Sequence, residues 1–240
     1  MPTVLGSYVR MLPYMGKVAR KMFGNYPRHC NLCGFHGKFV AYGLPPRFDA
    51  YCPSCGSLER HRLFGLWLNE NTEKVAGKDL LHFAPESIVT AIAKPLARTY
   101  RTADLDSRYA DLVLNIEDID LPERSVDLII CSHVLEHVNP DRSLSQLLRI
   151  LRQDGFLLLM FPIIEGWDQT YRNPMVSAPE DRELYFGQHD HLQFYGRDVR
   201  KNIVNAGFEL TEFTAVEPYV SKHGLSRGEK VFIGRRNDKN

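Results

Sequence analysis

The 240-residue sequence predicts an α/β fold, a mostly parallel sheet covered by helices on both faces, preceded by a small four-cysteine module. Three observations predict it. Four of the five cysteines fall in two close pairs before residue 56. Beyond residue 78, seven strand-sized apolar runs alternate with helical patterns, as in sheets built by crossover connections. The longest apolar run, Phe156 to Ile164, contains Pro162 and falls far short of the ~20 residues of a membrane-spanning helix. With 44% hydrophobic and 25% charged residues, collagen-like, low-complexity and fully disordered classes are excluded.

Residues 1–27 form a basic segment. Residues 1–28 carry five basic and no acidic side chains, with Val9, Leu12, Met15, Val18 and Phe23 among the apolar ones. Such a segment can lie on a membrane surface or pack against the body. Pro13 and Gly16 are expected to interrupt a long amphipathic helix, which favours packing.

Residues 28–62 hold Cys30-x2-Cys33-x18-Cys52-x2-Cys55, the spacing of a zinc ribbon or treble-clef-like site. Each pair puts two sulfurs on one tight turn, and two turns supply four thiolates at tetrahedral positions around Zn2+. All four positions are then filled, so the metal is expected to be structural. The first 28 residues show no cleavable signal peptide. A cytoplasmic location is the default expectation, where reduced thiols favour metal over disulfides. After Cys55, Ser57 is a candidate N-cap for a helix bearing Leu58, His61, Leu63, Phe64 and Trp67, which joins the ribbon to the next domain. Arg60, His61 and Arg62 either face an anionic substrate or form a solvated face. Residues 1–62 carry nine Lys/Arg against Asp49 and Glu59, a net +7, and the remainder carries −6. That asymmetry suggests an anionic partner for the front end, or attraction between the two parts.

Residues 63–240 carry the alternation. Strands are expected at Asp79–Phe83, Thr99–Ala103, Asp111–Leu114, Val126–Cys131 and Phe156–Phe161, with a further pair near 208–215 and 230–234. Helices are expected at Ser87–Leu96, Asp141–Arg152 and Arg197–Ala206, the second with Leu144, Leu147, Leu148 and Leu151 on one stripe. Ligands of such sheets bind outside the carboxyl ends of the strands. Residues 162–196 exceed a simple connection and hold Trp167, Tyr171, Tyr185, Phe186, Phe194 and Tyr195, which reads as a substrate lid or a cover over the sheet edge.

The run Asn115-Ile-Glu-Asp-Ile-Asp-Leu-Pro-Glu-Arg-Ser-Val-Asp-Leu-Ile-Ile-Cys-Ser-His-Val-Leu-Glu-His-Val138 resembles class I S-adenosylmethionine-dependent methyltransferases of the type 11 group. Leu151-Arg-Gln-Asp-Gly-Phe-Leu-Leu-Leu159 and the later Gly207-Phe208 fit the same pattern. The resemblance implies a Rossmann-like seven-stranded methyltransferase sheet with helices on both faces, and S-adenosylmethionine as methyl donor. The first loop departs from the family, because Leu80-Leu-His-Phe-Ala-Pro-Glu-Ser87 replaces its acidic residue and glycine-rich turn. This "HFAPE" turn is similar to that of a bacterial subset that also carries a four-cysteine ribbon and a segment like Gly187-Gln-His-Asp-His191.

By this resemblance His82, Phe83, Ala84 and Glu86 contact the methionine end of the cofactor. Glu86 accepts from its ammonium or merely complements a helix dipole. Asp104, with Leu105, accepts the ribose hydroxyls, Asp106 being the fallback. Asn115 and Ile116 meet the adenine, and Ser132 and His133 lie beneath the methyl. His133, His189 and His191 are candidate bases for an acceptor hydroxyl, or residues that only shape the pocket. His133-Val-Leu-Glu136-His137 also spells H-x-x-E-H, a pattern of inverted zinc peptidases, but its place after a buried strand follows the methyltransferase order. Some O-methyltransferases hold a divalent metal with a similar E-x-x-E-H, and here His189 or His191 could complete such a set. The expected function is O-methylation of a glycan or other hydroxylated small molecule. The alternatives are an RNA methyltransferase gripping phosphates with its basic front end, and a non-catalytic ribbon module that has lost the cofactor.

Overall fold

The computed structural model describes residues 4–236, with side chains at Met11 and from Pro13 onward. The Val9 and Leu12 side chains invoked for the basic segment lie outside the described residues. In chain order the first elements are α1 (Val4–Met22), β1 (Pro27–His29), β2 (His36–Lys38), β3 (Val40–Tyr42), β4 (Arg47–Tyr51), α2 (Glu59–Glu70) and α3 (Thr72–Val75). There follow β5 (Asp79–Phe83), α4 (Ser87–Ala93), β6 (Thr99–Asp104), β7 (Leu112–Val113), β8 (Val126–Ser132), α5 (Pro140–Ile150) and β9 (Leu151–Met160). The last are β10 (Tyr171–Arg172), α6 (Pro179–Phe186), β11 (Gln193–Phe194), α7 (Val199–Asn205), β12 (Phe208–Thr214), α8 (Tyr219–His223) and β13 (Lys230–Arg236). The chain divides into two compact units, residues 1–66 with 215–228, and residues 67–214 with 229–240.

In the first unit, α1 runs unbroken through Pro13 and Gly16, against the expected interruption. A proline removes one backbone bond, and the neighbouring Met, Lys, Ala and Arg residues are good helix formers. Gly24 ends the helix at φ +86°, where a Cβ would stand 2.3 Å from the Phe39 carbonyl oxygen. Two antiparallel hairpins follow, β1–β2 and β3–β4. The cysteine turns repeat one geometry. The Cys30 N–H donates to the Phe35 carbonyl at 2.8 Å and Gly34 N–H to the Cys30 carbonyl at 2.9 Å. Likewise Cys52 donates to Ser57 at 3.0 Å and Gly56 to Cys52 at 2.9 Å.

Ser57 does not cap α2. Its hydroxyl faces the thiols and Arg62, while the Leu58 N–H donates to His61 Nδ1 at 3.1 Å. Arg62 faces neither substrate nor solvent. It is fully buried over the Phe39 ring, 4.6 Å from its centroid. Its guanidinium donates to the carbonyls of Ser57 (2.5 Å), Ala50 (2.8 Å), His223 (2.7 Å) and Gly224 (2.7 Å). A buried cation must be satisfied in this way, and burial still lowers its pKa. These bonds, with that from His223 Nδ1 to the His29 carbonyl at 2.7 Å, draw residues 215–228 into this unit. By sequence position they fall within the expected 63–240 domain.

The second unit is built on a seven-stranded sheet of order β12-β13-β9-β8-β5-β6-β7. Strands β9, β8, β5, β6 and β7 are parallel, and β13 lies antiparallel between β12 and β9. This is the predicted α/β architecture, a Rossmann-like sheet with helices. Leu81 and Phe83 of β5, Ile129 and Cys131 of β8, and Leu157 and Leu159 of β9 share one core with Leu144, Leu147 and Ile150 of α5. An eleven-residue helix is marginal alone, so this stripe, at about 1.5–3 kcal/mol per buried side chain, holds α5 in place. The helix stops at Ile150 rather than at Arg152, because Leu151 already pairs with Val126 in the sheet.

Candidate active site

Four parallel strands end side by side, since Phe83 pairs with both Ala103 and Cys131 and Asp104 pairs with Val113. The residues beyond them therefore share one edge. Ser132 and His133 follow β8, Ala84 to Glu86 follow β5, Asp104 and Leu105 close β6, and Asn115 and Ile116 follow β7. Two of these turns are strained. Ala84 and His133 hold φ of 48° and 53°, the left-handed region that costs about 1–2 kcal/mol for a residue with a Cβ. Backbone bonds fix both, from Ala84 N–H to Ala103 at 2.9 Å and from His133 N–H to Met160 at 2.7 Å. Such strain at a strand edge is a common mark of a functional site.

The Glu86 carboxylate turns toward β8 and accepts from Ser132 Oγ at 2.8 Å. Asp104 Oδ1 accepts the Asp106 N–H at 3.1 Å, and Leu105 beside it is 72% exposed. Asn115 is exposed and its Oδ1 takes the Glu117 N–H at 2.9 Å. The side chains of Phe83 and Ile116 go into the core. That of His82 is fully buried, Nδ1 lying 2.6 Å from the Tyr100 hydroxyl, which donates to Thr90 Oγ1 at 3.2 Å. Burial pulls His82 down to about 4 and pushes Tyr100 up to about 12, so both are neutral near pH 7. The structure thus brings Ala84, Glu86, Asp104, Leu105, Asn115, Ser132 and His133 to the edge, and withdraws the side chains of His82, Phe83 and Ile116.

Beside Ser132 lies a second cluster. His133 Nδ1 is 3.2 Å from Glu136 Oε1, off the hydrogen-bonding direction. Glu136 is 1% exposed, and neither carboxylate oxygen has a hydrogen-bond partner among the described residues. Donor atoms of Glu136, His137 and His191 lie within 4.8 Å of one another. Carboxylate and imidazole donors suit a divalent cation, and the orphaned carboxylate is the kind of group that such an ion would satisfy. Burial lowers the pKa of His191, favouring the neutral ligand form. His189 stays exposed, outside the cluster.

The segment that brings His191 here is docked. The Leu192 N–H donates to the Glu136 carbonyl at 2.9 Å. Gln193 Nε2 and the Tyr195 hydroxyl both donate to the Leu135 carbonyl, at 2.9 and 2.8 Å. Gln193 is missing from the sequence-based site, and Tyr195 enters it only within a segment expected to be a lid or a cover over the sheet edge. His191, Gln193 and Tyr195 are buried at alternate positions, but the apolar alternation in the sequence falls on Leu192 and Phe194 instead, so no periodic signal marked them.

In the first unit, the sulfurs of Cys30, Cys33, Cys52 and Cys55 lie within 4.8 Å of one another, and none is in a disulfide. Four thiols at this spacing could hold one tetrahedral metal ion. Cys131 lies apart, buried in the sheet, and burial raises its pKa, so it is an inert core thiol.

Residues 76–159 match a family model described as a methyltransferase domain. No curated protein matches the chain in sequence. Among solved structures, an S-adenosylmethionine-dependent methyltransferase from Mesorhizobium loti is similar at 14% identity and TM-score 0.52, covering 72% of this chain and 98% of that one. The YcgJ protein from Bacillus subtilis is similar at 12% identity and TM-score 0.51, covering 74% and 99%. At such identity these two speak for the fold alone. Together with the methyltransferase-domain match, the sheet defines an enzyme, a methyltransferase.

Proposed function

We propose that the enzyme methylates a hydroxyl of a glycan or other hydroxylated small molecule. The observation that carries this is His133 at the end of β8, backed by the buried Glu136 carboxylate. S-adenosylmethionine, when bound, supplies a methyl group on a sulfonium that leaves as a neutral thioether. The acceptor oxygen attacks that carbon in line, so the protein's tasks are alignment, exclusion of water and removal of one proton. His133, with its side chain 32% exposed, takes the proton, and Glu136 steadies the resulting imidazolium. Asp104 accepts the ribose hydroxyls and Asn115 meets the adenine. Glu86 accepts from the ammonium group while keeping its bond from Ser132. Glu136, His137 and His191 also fit a divalent cation, which would supply positive charge beside the acceptor oxygen. The four thiols of the first unit hold a structural Zn2+, in keeping with a reducing cytoplasm.

Methyl-labelled donor and a panel of hydroxylated glycans, with linkage analysis of the products, test this. Methyl ethers are expected, with a fall in kcat of roughly 100-fold or more in Glu136→Gln and unchanged affinity for S-adenosylhomocysteine. Products methylated only on nitrogen would refute the hydroxyl acceptor and leave the class standing. A native mass spectrum should show one zinc, lost in Cys52→Ser.

A further inference from the structure

The first unit carries an apolar helix face that the reaction does not use. In α1, Met11, Met15, Val18 and Met22 recur at intervals of four, three and four, which places them within about 60° of one another around the helix. The three methionines are 49%, 53% and 36% exposed. Lys21 and Lys17 flank that face on one side, about 60° and 100° round the helix from Val18, and Arg20 lies opposite it; all three are exposed. Residues 1–28 contain no acidic side chain. Just past the helix, Phe23 and Tyr26 are 74% and 67% exposed. The helix reaches the β3–β4 hairpin near its C-terminal end, with Lys21 Nζ 5.5 Å from the Phe48 ring centroid.

We propose that α1 is a membrane-surface helix that seats this protein on anionic lipid bilayers. Two needs select that occupant. The methionine face wants an apolar phase, and the lysines and arginine want fixed negative charge, their alkyl stems reaching from helix to headgroup. An anionic bilayer offers both at one boundary, where Phe23 and Tyr26 add aromatic side chains of the kind enriched there. A nucleic acid would engage the cations and leave the methionines in water. A second copy would cover the methionines but bring the flanking Lys17 and Lys21 of each helix toward the other's cations. Crossing the membrane is a different matter, and no helix among the described residues is long and apolar enough for it. The proposal is independent of the acceptor and of the metal sites.

Flotation of the full-length protein with vesicles tests it. One set is phosphatidylcholine alone, the other phosphatidylcholine and phosphatidylglycerol in equal parts. The protein is expected to float with the anionic vesicles at low salt, to leave them at high salt, and to ignore the neutral ones. Neutralising Lys17, Arg20 and Lys21 to glutamine should weaken partition roughly 100-fold, at about 1 kcal/mol per charge. Met15→Glu should weaken it roughly tenfold or more. These side chains are exposed, so both variants should keep the wild-type melting temperature and S-adenosylhomocysteine affinity. No flotation on anionic vesicles, or flotation unchanged by Met15→Glu, overturns the proposal. So does binding of a single-stranded RNA oligonucleotide without vesicle binding, or a dimer in sedimentation that Met15→Glu disperses.

Discussion

At the scale of single residues, one position can have its place and not its direction written in the sequence. His82 stands where the resemblance puts a cofactor contact, yet alternation along β5 sends its ring into the interior with Leu80, opposite to Leu81 and Phe83. Its pKa, lowered by burial to about 4, has a consequence for stability. The unfolded chain takes up this proton near pH 6.5 and the folded chain only near 4. The stabilisation from a neutral His82 is therefore complete above pH 6.5 and is lost as pH falls toward 4. Between pH 7.5 and 5 wild type should lose about 2 kcal/mol more than His82→Gln, since only the part of that window below pH 6.5 counts, at about 1.4 kcal/mol per pH unit. Urea unfolding at the two pH values measures the difference, and equal losses would mean that the ring is charged in the fold. Glu136 is the reverse case. Its place beside two histidines was legible in H-x-x-E-H, but its burial depends on residues that arrive from position 191 onward.

At the scale of elements, strands were the most legible. The run Asp79–Phe83 is β5 to the residue, and Val126–Cys131 falls one short of β8. Fully buried parallel strands announce themselves as continuous apolar runs. Helix ends were less legible, because Leu151 suits a helical stripe as well as a strand and pairing with Val126 decides it. The start of α5 rests on a local device instead. Asn139 Oδ1 accepts the N–H groups of Asp141 and Arg142 at 3.1 and 3.2 Å, with Pro140 at the first helical position. Asn139→Ala should cost about 1 kcal/mol in chemical denaturation and Asn139→Asp much less. A loss of equal size in both would show that the side chain does something other than cap.

At the scale of the whole molecule, the first unit is completed by residues 215–228, which in sequence follow β12 and precede β13. Arg62 ties them in through the His223 and Gly224 carbonyls. Arg62→Leu would leave the Ser57, Ala50, His223 and Gly224 oxygens without their donor, so a loss of about 3 kcal/mol or more is expected. Trypsin should then cut faster after Lys222 and Arg227, and an unchanged digestion pattern would refute the tie. The α/β sheet, its strand ends and the four-cysteine module were readable from the sequence, because apolar periodicity and short-range spacing are local properties of a chain. That α1 runs whole with its methionines exposed, that Arg62 is a buried cross-link and that His191 rather than His189 joins Glu136 emerged with the three-dimensional fold. Each of those outcomes depends on which distant backbone oxygens, rings and carboxylates the fold brings within bonding distance, and no local pattern encodes that.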